Sequence, residues 1–137
     1  MALVFWTEPV PTFDLDVFIQ LPGASTLIVS LDSVYRWAET NGYPADKEHI
    51  VIEGVPVQFI PSHSALADEA IAEAATLQYE GITVRVIRPE YLIALYLEPS
   101  ARTAKRLQRV AVLREEGAVD RERLESILRR YNLTLPS

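Results

Sequence analysis

A chain of 137 residues with 49% hydrophobic and 23% charged side chains has the make-up of one globular domain with a core of its own, and argues against wholesale disorder. The absence of cysteine excludes disulfides, thiolate zinc sites and cysteine nucleophiles, and two histidines are too few for a histidine-based metal cluster. The net charge of −6 is uneven: residues 1–60 carry 2 basic and 8 acidic side chains, whereas residues 102–137 carry 9 basic and 5 acidic ones.

In chain order, Met1 to Trp6 is apolar from the first residue, and Pro9 and Pro11 interrupt regular structure after it. Thr12 to Ile19 predicts a β-strand, because β-branched and aromatic residues dominate it and its polar positions fall two apart. Leu21 to Ser25 reads as a turn and Thr26 to Ser30 as a short apolar run. Ser30 is placed to cap a helix running to about Thr40, which Asn41-Gly42 closes. The runs 49–53 and 55–60 around Gly54 predict a β-hairpin, with Pro56 at a strand start or edge because it has no N–H. Residues 64–75 are rich in alanine and predict a helix. A second strand pair follows around Gly81, and Pro89 opens a helix to about Glu98. Pro99 marks a further helix through Arg102, Lys105, Arg106 and Arg109 to about Glu115, and Asp120 caps a last one with Leu124, Ile127 and Leu128 buried. Trp37, Tyr91 and Tyr96 fall at core-like spacings, and His63 between two serines reads as a loop residue. The outline is a mixed α/β (α+β) single domain over 1–137, with a sheet-containing core over 1–88 and a helical tail over 89–137.

The Thr12–Ile19 strand carries the chemistry. Asp14 and Asp16 project from one face about 7 Å apart, at roughly 3.3 Å per residue, while Leu15, Val17 and Ile19 point into a core. Two like charges side by side repel, and a divalent cation between them turns repulsion into binding. The plainer reading is a half-buried strand with two disfavoured polar residues.

Four patterns occur in order: Glu8-Pro9-x-x-Thr12-x-Asp14-Leu15-Asp16-Val17-Phe18, Glu53-Gly54-Val55-Pro56-Val57-Gln58-Phe59-Ile60, Arg88-Pro89-Glu90-Tyr91-Leu92-Ile93-Ala94, and Arg102-x-x-Lys105-x-x-x-Arg109. Together they resemble the small nucleotidyltransferase-like proteins of the polymerase-beta superfold, in particular the bacterial group of minimal nucleotidyltransferases and the transferase partners of toxin–antitoxin and abortive-infection systems. The resemblance implies Mg²⁺-dependent transfer of a nucleoside monophosphate from a nucleoside triphosphate to a hydroxyl. Asp14 and Asp16 match the first two carboxylates of its metal-binding triad, Thr12 lies in the matched element, and Arg102, Lys105 and Arg109 would neutralise triphosphate charge. Two departures stand out. The best match to the third carboxylate is Gln58, with Glu53 as a possible substitute whose facing the sequence leaves undecided; two Mg²⁺ are expected with the triad complete and one without it. A glycine-rich phosphate turn ahead of the Asp strand is also missing, so the expectation is either a native protein that is longer at its start or a truncated, inactive member of the group. The resemblance therefore leaves a second expectation: a catalytically inactive member that binds a toxin or antitoxin partner, or a homodimer covering the apolar start. No apolar run approaches the roughly 20 residues that span a bilayer and no charged leader precedes the first run, so the expected location is the cytoplasm.

Overall fold

The computed structural model describes residues 15–19, 31–47, 49–62, 64–116 and 118–136. The expectations for 1–14 and 20–30, including Thr12, Asp14 and the Ser30 cap, lie outside the described residues, as does His63. The fold is α+β, as expected. The described residues form two compact units, one ending at Ser64 and the other beginning at Ala65.

The first unit is a sheet with one helix. Strands β1 (Leu15–Ile19), β2 (Ala45–Asp46), β3 (His49–Ile52) and β4 (Val55–Pro61) lie in the order β1-β4-β3-β2, with α1 (Asp32–Thr40) between β1 and β2 in sequence. β1 runs parallel to β4, and the other two pairs are antiparallel. A parallel pair needs a long connection, and residues 20–54 supply it.

Alternation along the strands puts Leu15 and Val17 on one face beside Val57 and Phe59. α1 covers this face: the Trp37 ring meets Phe59 edge-on at 6.4 Å, and Ala38 is buried. Trp37 is less enclosed than its spacing predicts, at 47% exposure, although its ring meets both Tyr43 and Phe59. Asn41 and Gly42 end α1 as expected, with Asn41 Nδ2 donating to the Trp37 carbonyl and Gly42 at φ 75°. The hairpin turn is the left-handed pair Glu53 (φ 50°) and Gly54 (φ 84°), the backbone a two-residue turn needs to match strand twist. Pro56 stands one residue before the described β1–β4 ladder, which begins at Val57. β2 was not anticipated: it is two residues long and exists through pairing with β3.

The second unit contains α2 (Ala65–Ala72), the hairpin β5 (Ala75–Tyr79) and β6 (Ile82–Val86), α3 (Pro89–Leu97), α4 (Ala104–Glu116) and α5 (Arg121–Arg130). α2 stops three residues short of the predicted Ala75. Arg85 donates to the carbonyls of Ile71 and Ala72, and Arg88 Nε to that of Glu73, so distant arginines satisfy the groups a longer helix would have bonded. α3 is apolar around its whole circumference and forms the centre of the core, with Ile93, Ala94 and Leu97 at 1% exposure or less. Val110 and Leu113 of α4 and Leu124, Ile127 and Leu128 of α5 close over it. Asp120 caps α5 as predicted, accepting from the Arg123 N–H at 3.0 Å. Its own N–H donates to Glu90 Oε1 at 2.8 Å, which ties the α5 entry to the buried first turn of α3. No described helix is long and apolar enough to cross a membrane.

Candidate functional site

Asp16 is exposed on β1, on the sheet face opposite Leu15 and Val17. The parallel ladder sets it directly beside Gln58. Gln58 in turn stands opposite His49, and His49 opposite Asp46. One polar row therefore crosses all four strands, with neighbouring strands about 4.8 Å apart. On the same face the row lies between Phe18–Ile60 on one side and Val51–Pro56 on the other. This face is the one turned away from Phe59 and α1.

The register also settles which hairpin residue stands next to the Asp strand. Glu53 sits in the turn beyond the closing pair Ile52–Val55, and Val55 itself is already three residues along β4 from Gln58, or about 10 Å at 3.3 Å per residue. It is exposed and left-handed. The residue beside Asp16 is thus the amide and not the glutamate. Asp14 and Thr12 lie outside the described residues.

Among the described residues, no three His, Cys, Asp or Glu side chains gather closely enough to enclose a metal ion. Asp16 and the Gln58 amide are one charged and one neutral oxygen donor. That pair suits a single hard cation whose remaining positions are filled by water or phosphate. It does not supply the second negative charge that a pair of adjacent ions needs.

The expected basic residues belong to the second unit, and they do not share one helix. Pro99–Ala101 is a single 3-10 turn, Arg102 has extended backbone (φ −77°, ψ 94°), and α4 begins at Ala104. The cause is Thr103, whose side-chain oxygen accepts from the Arg106 N–H at 3.2 Å and caps the new helix. Lys105 is exposed in the first turn of α4. Arg109, one turn later, is half-buried with its guanidinium 6.0 Å from the centre of the Tyr96 ring, a cation–π contact within the unit.

A polar network that composition did not reveal joins three elements of the second unit. Glu69 of α2 accepts from Arg130 at the end of α5, and Arg130 lies over Tyr131 at 5.7 Å. The Arg130 guanidinium holds the Glu69 carboxyl below its usual range, and the Tyr91 and Tyr131 hydroxyls act in the same direction. Burial, and then the bond to Glu69, pushes the Tyr91 phenol up. The only sequence signal was an arginine at the last turn of an amphipathic helix, which reads equally well as a solvated face. The chain matches no family model and no curated protein.

Proposed function

We propose that this chain is a nucleotidyltransferase-like protein in which the sheet face carrying Asp16 binds a Mg²⁺–nucleoside triphosphate, with Asp16, together with Asp14, holding the ion for transfer of a nucleoside monophosphate to a hydroxyl. The reading is supported by one observation above the rest: Asp16 is exposed on a strand whose parallel neighbour presents an oxygen donor, Gln58, at the same level. The chemistry such an ion supplies is neutralisation of triphosphate charge and activation of the attacking oxygen. Asp16 contributes the fixed negative charge that retains the cation, and Gln58 orients it without adding charge. The carboxylates thus favour one ion.

Gln58 also favours a second reading, in which the chain keeps the fold and the ion but has no transfer activity and acts through a protein partner, such as the other half of a toxin–antitoxin pair. The neutral amide stands where a charge-stabilising carboxylate is expected, and phosphoryl transfer depends chiefly on such charge placement.

Calorimetry of ATP and the other nucleoside triphosphates, with and without Mg²⁺, tests the shared part of both readings. Binding that requires Mg²⁺ and disappears in Asp14→Asn/Asp16→Asn supports it. Absence of binding by the folded wild-type chain overturns the nucleotide site altogether. Release of pyrophosphate by the binding-competent protein then separates transferase from inactive member.

A further inference from the structure

We infer that the outer edge of β6 pairs antiparallel with β6 of a second copy of this chain, joining two hairpins into one four-stranded sheet. The inference is independent of the nucleotide reading.

The β5–β6 register sorts the hairpin into two faces. Thr76–Arg85 and Gln78–Thr83 make one wholly polar, while Leu77–Val84 and Tyr79–Ile82 make the other apolar. At the base, Ala75 and Val86 are buried at 7% and 6% exposure, but at the tip Ile82 is 65% exposed. The two strands form a sheet of their own, and among the described residues β6 makes no backbone hydrogen bond outside its ladder with β5. A two-stranded ribbon is marginally stable in water by itself. An edge strand is normally guarded by lysine, proline or a bulge. β6, Ile-Thr-Val-Arg-Val, has no lysine or proline, and its one charged side chain, Arg85, is turned back to the α2 carbonyls.

A second copy is the occupant that fits. In an antiparallel pair centred on Val84, Ile82 meets the partner's Val86, Thr83 meets the partner's Arg85, and Val84 meets the partner's Val84. Apolar residues stay on one face and polar residues on the other. Residues 75–86 carry one acidic and one basic side chain, so they are neutral within a chain of net charge −6. Two copies therefore meet here without local repulsion, whereas a strongly charged partner finds nothing to bind. β6 is preferred over β5 because four of its five residues are β-branched. A five-residue edge is about 16 Å long at 3.3 Å per residue, at the small end for specific interfaces, so the dimer is weak and concentration-dependent.

The chain has no cysteine, so single thiols report the register directly. Residues opposed in an antiparallel pair have Cα atoms about 4.5–5.5 Å apart, within disulfide range. Under mild oxidation Val84→Cys should form a covalent dimer at least about tenfold faster than Thr83→Cys, and adding Ile82→Lys should suppress it. Equal rates at the two positions, or faster linkage through Leu77→Cys on β5, overturn the assignment. The wild-type chain gives the second test. Amide exchange in 82–86 should slow as concentration rises while exchange in α3 stays constant; exchange in β6 that is independent of concentration overturns it as well.

Discussion

The two units of this protein are built to different standards of packing. Among the described residues of the sheet unit only Ala38, Ile50 and Val57 are fully buried hydrophobics, whereas the helical unit encloses α3 in a contiguous core that includes Ile93, Leu97, Val110, Leu113 and Ile127. The unit with the dense core carries the polar clamps as well: Arg85 and Arg88 on the end of α2, Glu90 on the entry to α5, and Glu69 with Arg130. The unit with the thin core carries the polar row from Asp16 to Asp46, whose middle members Gln58 and His49 are half-buried. Among the described residues the buried apolar side chains are therefore concentrated in the helical unit.

The sharpest way to break that comparison is to cut into both cores. Ile93→Ala, in the middle of α3, should cost about 4 kcal/mol in urea denaturation, and Ile50→Ala in β3 only about 2 kcal/mol, because a half-buried sheet relaxes around the gap. Equal losses would mean that the sheet unit is packed as tightly as the helical one. At the next level, Glu69→Gln should cost about 1 kcal/mol, the upper end for an ion pair whose arginine is partly exposed to solvent. Its pH dependence follows from the lowered folded pKa. The unfolded chain takes up the proton first as pH falls, so the stabilisation is complete above the usual carboxylate range and is lost as pH falls through the folded value. Glu69→Gln should therefore flatten the acid limb of the stability curve.

The smallest effect concerns the turns that the two units share. Glu53 and Glu80 each hold φ 50° ahead of a left-handed glycine, a conformation costly for a side chain of this kind. Glu53→Asn and Glu80→Asn should each raise stability by about 0.5 kcal/mol. A larger gain at Glu53 than at Glu80 would show that the sheet unit limits global unfolding.

Local features were legible in the sequence, and long-range ones were not. Gly54 and Gly81 marked both hairpins, Pro89 marked the start of α3, and Asp120 marked that of α5, because each acts on backbone within a few residues of itself. The end of α2 was placed too late because Arg85 and Arg88, more than ten residues downstream, supply its terminal partners. β2 escaped notice because two residues have no periodicity, and pairing with β3 alone defines them. The break ahead of α4 did have a local signal in Thr103, outweighed by the proline at 99. At the candidate site the polar facing of Asp16 followed from alternation. Its neighbour did not: whether Gln58 or Glu53 stands beside it depends on the β1–β4 register between strands separated by some forty residues of chain.

In the proposed site, Asp16 and a neutral Gln58 leave room for one triphosphate-bound cation and not two. A Mn²⁺ titration in the presence of a non-hydrolysable ATP analogue, followed by electron paramagnetic resonance, tests it on wild type, Asp16→Asn and Gln58→Asp. One bound ion is expected in the wild type, none in Asp16→Asn, and two coupled ions in Gln58→Asp. Two ions in the wild type, or binding that survives Asp16→Asn, would contradict it.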